Sequence, residues 1–337
     1  MARQPATKAG QSAGNVTYCG TYNNYGTIPH FAPEASSVLF RSLSSHHATC
    51  RLAAASVLIG TLACSGGAPS EPPLATPSVS VNPSGVVLGG PVEVTYRFAV
   101  ASDAPNLGED LLVFVHFVDN EGRLLWTDDH EPPTPSMGWA AGQTVEYTRT
   151  VFVPAASLYI GPARILVGLY SREDGRRVPL DGTDVGQLAY AVGTLELLPQ
   201  ADTVFMVPSD GWYAPEVAET GSLVEWQWTS RTALLTFRNP RRDATFFLHL
   251  DGRPDLVEGA QVVTISIGEA ILDQFTLESS DAVVRKIPIA AAEFGEADLV
   301  ELTIDAGQTF VPAQVAAGNG DTRELGVRVF HSFLQPL

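Results

Sequence analysis

The chain has 337 residues, 45% of them hydrophobic and 17% charged, and a formal net charge of −17. At roughly 150 residues per domain, this length suggests two domains, each able to bury its own core. Positive charge is not clustered anywhere, and Lys286 is the only lysine after Cys64. Nucleic acid is therefore excluded as a partner, because phosphate binding needs concentrated Lys and Arg.

The run Leu52 to Ala63, LAAASVLIGTLA, is uncharged and apolar and follows Arg41 and Arg51. Its length suits the h-region of a signal peptide and falls short of the ~20 residues that span a bilayer. It ends in Thr61-Leu62-Ala63-Cys64-Ser65, which resembles the bacterial lipobox, where a small residue precedes a cysteine that takes lipid on its sulfur. Thr61 stands where lipoboxes usually carry Leu, and Leu62 where they carry a small residue.

The resemblance implies cleavage before Cys64, a lipid anchor there, and a place in the bacterial cell envelope, at the outer membrane or cell surface. All 3 cysteines, Cys19, Cys50 and Cys64, lie at or before that cut, so no disulfide is expected beyond it. Residues 1–63 then form leader and signal segment. Within them residues 1–40, polar and without periodicity, fit poorly ahead of an n-region and read as an upstream start or a disordered leader. Residues 64–76, within a stretch rich in Ser, Pro, Gly and Ala, read as a tether.

The remainder, with many of the chain's 30 Gly and 24 Pro, reads as all-β: short strands joined by turns. In 77–200, Val92, Val94, Tyr96, Phe98 and Val100 alternate with Glu93, Thr95 and Arg97, the pattern of a half-buried strand. Leu111 to Val118 is apolar on both faces, as in a central strand. Further strands are expected at 78–81, 123–126, 144–153, 163–170 and 188–197, and about seven short strands suggest an immunoglobulin-like β-sandwich. His116, flanked by Phe114 and Val118, reads as a half-buried histidine with its polar atoms satisfied. The loop Thr127-Asp128-Asp129-His130-Glu131 gathers carboxylates, so Asp128, Asp129 and Glu131 are candidate calcium ligands, set against the plainer reading of a solvated turn.

Val113-Phe114-Val115-His116-Phe117, Asp119, Gly122, Asp129-His130, Pro132, Trp139, Gly142, Pro154, Gly161 and Val167-Gly168-Leu169-Tyr170 resemble an extracytoplasmic β-sandwich. That sandwich occurs C-terminal to bacterial membrane glycosyltransferases of the dolichyl-phosphate-mannose type. The resemblance implies the accessory fold alone, since no multi-span region accompanies it here.

After the linker at Pro199 to Asp202, residues 203–337 carry candidate strands at 223–228, 233–237, 245–250, 262–267, 271–277, 283–289, 299–304 and 325–333, which suggests a jelly-roll-like β-sandwich. Leu325, Val327, Val329, His331 and Phe333 are expected on one face by simple alternation. Gly211-Trp212-Tyr213, Pro215-Glu216, Glu225-Trp226-Gln227-Trp228-Thr229, Pro312, Asp321 and Arg323-Glu324-Leu325-Gly326-Val327 resemble a second accessory sandwich of cell-envelope glycosyltransferases and polysaccharide proteins. Trp226 and Trp228, two apart on a strand, share a face. Exposed, they would offer sugar rings a flat platform together with Trp212 and Tyr213; buried, they would be core. Asp321 and Arg323 are expected to fix the loop that carries them.

Beyond Cys64 the chain holds no Gly-x-Ser-x-Gly, His-Glu-x-x-His, P-loop or dinucleotide fingerprint. Glu225 beside Trp226 comes nearest to a catalytic acid. The expectation is a non-enzymatic, glycan-binding or glycan-organising lipoprotein, with no cofactor unless calcium. The alternatives are an assembly lipoprotein that meets envelope proteins and a calcium-dependent adhesin.

Overall fold

The computed structural model describes residues 71–200, 204–218 and 224–337. The signal segment, Cys64 and most of the expected tether lie outside the described residues, as do Ala201 and Asp202 of the linker and Leu223. No helix among the described residues is long and apolar enough to cross a membrane.

Domain one is built from β1 (Ala75–Asn82), β2 (Gly85–Val87), β3 (Pro91–Val100), β4 (Leu111–Val118), β5 (Leu124–Thr127), β6 (Thr144–Phe152), β7 (Gly161–Ser171), β8 (Arg177–Val178) and β9 (Tyr190–Leu198). One sheet runs β1-β3-β6 and the other β2-β9-β7-β4-β5, with β8 on β7. The two sheets close an immunoglobulin-like sandwich, in which β2 leaves the first sheet to pair parallel with β9. Alternation explains the packing. Val94, Tyr96 and Phe98 on β3 meet Val113, Val115 and Phe117 on β4 in one core, while Glu93, Thr95 and Arg97 face outward. Each such side chain contributes about 1.5–3 kcal/mol by leaving water.

The sandwich starts earlier than the sequence pattern suggests. Leu74 and Ala75 are 2% and 1% exposed, and Leu74 donates its N–H to Pro179 O, so the end of the expected tether is part of the core.

Domain two comprises β10 (Val207–Pro208), β11 (Glu216–Val217), β12 (Glu225–Trp228), β13 (Thr232–Arg238), β14 (Ala244–Asp251), β15 (Gln261–Ile267), β16 (Ala270–Leu277), β17 (Val283–Ile289), β18 (Leu299–Asp305) and β19 (Arg328–Pro336). Two five-stranded sheets, β10-β13-β18-β15-β16 and β11-β12-β19-β14-β17, face each other. Leu235, Phe237, Phe246, Leu248, Val263, Ile265, Leu302 and Ile304 fill the space between them.

The expected alternation along β19 fails at one point. His249 pairs with His331 and the next residue, Leu250, with Val329, so Phe330 is an extra residue on its strand. Such a bulge swaps the faces beyond it. Leu325, Val327 and Val329 point into the core, whereas His331 and Phe333 turn to the outer face and Leu334, 0% exposed, takes the inner one. Domain one packs on that outer face. Phe152 from β6 forms a cluster with Phe247 and Phe333, edged by Val87 and Val284, and Glu93 pairs with Lys286.

Candidate functional site

The outer face of the sheet containing β12, β19 and β14 carries one continuous row. Trp228 lies opposite Arg328, which lies opposite Asp251. Arg328 donates from Nε to Asp251 Oδ1 at 2.9 Å, and its Nη2 bonds Asp251 Oδ2. Its guanidinium lies over the rings of Trp226, Trp228 and Phe330, with Cζ 5.1, 5.6 and 5.0 Å from their centroids. A flat, weakly hydrated cation stacks readily on aromatic faces. Asp251 is buried, and this desolvation raises its pKa against the pull of Arg328.

Trp226 and Trp228 share a face, as their spacing predicts; that face is the outer one, and both are half-buried. Trp226 Nε1 donates to Glu216 Oε2 at 3.2 Å, and the ring of Phe310 meets Trp228 edge-on at 5.7 Å. Tyr213 joins the same face through Arg323. That guanidinium sits 5.2 Å from the Tyr213 ring and binds both Glu216, at 2.8 Å, and Asp321, at 2.7 Å. The Asp321–Arg323 pairing is the loop-fixing ion pair expected from sequence. Tyr213 Oη also donates to Glu324 O at 2.9 Å. Glu225 is exposed beside Trp226.

Trp212 belongs elsewhere. It packs against the core and donates Nε1 to Leu234 O on the opposite sheet at 2.7 Å, so it closes one end of the sandwich and takes no part in the platform. Gly211 permits this turn: its φ is +78°, and an added Cβ would stand 1.9 Å from Thr232 O. Sequence reading missed Arg328, Phe330 and Asp251. For Arg328 and Asp251 the only signal was charge at strand ends far apart in the chain.

The acidic loop of domain one is organised by protein partners. Asp128 accepts from Tyr96 Oη at 2.9 Å and from Arg149 Nη2 at 2.9 Å. Asp129 Oδ1 accepts the N–H of Val115 at 2.9 Å, and Glu131 pairs with Arg172. The three carboxylates thus turn in three directions. Among the described residues no group of three or more His, Cys, Asp or Glu could hold a metal ion. His130 Nδ1 lies 2.6 Å from Asp128 O, a carbonyl that can only accept. The proton is therefore on Nδ1, and Tyr147 Oη donates to Nε2 at 2.8 Å. Burial, helped by Arg149, holds this imidazole neutral with a pKa lowered to about 4. Burial pushes Asp129 up to about 6.

No family model matches the chain, and no curated protein matches it. Among solved structures it is similar to a 4-O-methyl-α-glucuronidase with specificity for decorated arabinogalactans, at 12% identity and a TM-score of 0.27, over 45% of this chain and 20% of that one. It is also similar to the CBM22 tandem domain of Xyn10C from Paenibacillus barcinonensis, at 14% identity and a TM-score of 0.23, over 74% and 79% of the two chains. A carbohydrate-binding module of the β-sandwich superfamily matches at 10% identity and a TM-score of 0.21, over 78% and 99%. The chain spans about a fifth of the glucuronidase. Similarities at this level bear on neither ligand nor activity.

Proposed function

We propose that this protein is a non-catalytic lipoprotein of the bacterial cell envelope, anchored through Cys64, that binds glycans on the outer face of its second domain. One observation carries the reading: Trp226, Trp228 and Phe330 are half-buried side chains on the face of the sheet turned away from its core. Indole faces offer a planar apolar surface to the C–H face of a pyranose. Glu216 and Glu225 supply acceptors for hydroxyls beside them. The lipobox-like segment, and the resemblance of both sandwiches to extracytoplasmic accessory domains of membrane glycosyltransferases, support the compartment.

The test is a glycan array with the full chain and with Trp226→Ala and Trp228→Ala. Retention by the wild type, lost in both variants while the β-sheet circular dichroism is kept, is expected. A wild type that retains no glycan, or variants that bind unchanged, would remove the reading.

A second reading, an assembly lipoprotein that meets envelope proteins through its sandwich faces, is favoured by Arg328. This side chain already covers one face of each indole. On that reading the tryptophans staple β12 to β19, and their replacement weakens the fold without changing any glycan interaction.

A further inference from the structure

His249 on β14 and His331 on β19 stand opposite each other on the outer face, beneath domain one. Their Nδ1 atoms are 3.3 Å apart, their centroids 5.6 Å apart and their planes within 5°. These values place the rings nearly edge to edge with the two Nδ1 atoms between them. Only one hydrogen fits there, so one ring donates and the other accepts. Phe152 of domain one lies flat over the pair, 4.5 Å from His331 at 8° and 5.9 Å from His249 at 4°.

The neighbouring charges are already spent on one another. On β6, Arg149 is paired with Asp128. Glu93 on β3 is paired with Lys286 on β17, and Asp251 on β14 with Arg328 on β19. No carboxylate among the described residues pairs with either imidazole, while Arg149 disfavours charge on His249. A first proton can enter on Nε2 of the donor ring. A second must land on the accepting Nδ1, which turns the hydrogen bond into two N–H groups face to face with like charges.

We propose that the His249–His331 pair is an acid-operated latch on the domain junction. Neutral, it gives Phe152 a flat seat and holds domain one on the outer face; charged, it lets domain one go. The latch exists only because the bulge at Phe330 turns His331 outward. It does not depend on what the aromatic row binds.

Burial, together with His331 and Arg149, lowers the pKa of His249 to about 4. Burial of the ring lowers that of His331 as well, although the residue as a whole is exposed. A group with a depressed folded pKa resists charging, so the closed junction is held above the ordinary histidine pKa of about 6.5 and lost as pH falls from there through about 4.

Small-angle scattering of the full chain at pH 7.5 and 4.5, with circular dichroism at each pH, tests the latch. The radius of gyration is expected to rise at pH 4.5 with the sheet signal intact, and to fall again on neutralisation. The variant His249→Gln with His331→Gln should keep one radius at both pH values. An unchanged wild-type radius, loss of the sheet signal before the radius rises, or a double variant that expands as the wild type does overturns the proposal. If that variant does not fold, Phe152→Ala decides. It should be extended already at pH 7.5 with no further rise in acid, and a compact Phe152→Ala protein that still expands like the wild type overturns the latch.

Discussion

Arg328 and Asp251 form a two-point ion pair across adjacent strands, and the same guanidinium lies over two indole rings. Asp251 is 3% exposed, so breaking the pair strands a charge away from water. Removing one partner of a buried pair costs about 3–5 kcal/mol. Arg328→Ala should therefore lower the stability of domain two by roughly that amount, and by more than Trp226→Ala. Urea unfolding followed by tryptophan fluorescence checks this; equal losses in the two variants would make the pair a surface ornament.

The acid response of domain one should be flat because two buried groups oppose each other. For His130, lowered from 6.5 to about 4, the unfolded chain takes the proton first, so its stability contribution holds above 6.5 and is lost as pH falls through 4. For Asp129, raised from 3.8 to about 6, the folded state takes the proton first, so its contribution is present at low pH and lost as pH rises through 6. Each shift is on the order of 3 kcal/mol. Asp129→Asn keeps the acceptor for Val115 and removes only the second group. The variant should lose about 3 kcal/mol more than the wild type between pH 6.5 and 4, read from denaturant midpoints of the domain-one transition. Parallel pH profiles would contradict it.

Gly168 on β7 crosses the ring of Phe114 on β4 so closely that an added Cβ would stand 2.2 Å from the ring and 2.8 Å from Leu188 O. Gly168→Ala should cost about 2 kcal/mol or more by overpacking. Adding Phe114→Leu should restore part of the loss, leaving the clash with the backbone carbonyl. Thermal melting of the single and double variants reads the difference.

Calcium should leave the melting temperature unchanged. Asp128 is held by Arg149 and Tyr96, and Glu131 by Arg172, so no set of free oxygens converges in this loop. A rise in melting temperature with millimolar calcium, reversed by a chelator, would support the adhesin reading.

Much of the fold can be read from short-range pattern. The alternation on β3 and the two-sided apolarity of β4 place those strands correctly because each depends only on which faces meet the core. Trp226 and Trp228 were likewise legible as sharing a face. Whether that face met solvent, core or another side chain was not, since the covering group, Arg328, comes from a strand far along the chain. The bulge at Phe330 left no mark either: Val327, Val329, His331 and Phe333 still alternate in sequence, and only the partner strand β14 shows the slip. Trp212 and Tyr213, adjacent in sequence, part ways because consecutive residues on extended backbone point oppositely. Isolated short strands such as β10 and β11, two residues each, carry no period at all.

The position of β19 also governs the order of events at birth. It lies between β12 and β14 in the middle of its sheet, yet it is made after every other strand of domain two. During synthesis domain one can close while β12 and β14 still lack their common neighbour. The aromatic row, the histidine pair and the seat for Phe152 all need Arg328–Pro336, so none of them is complete before that segment is made. Until then domain two lacks the central strand of one of its two sheets.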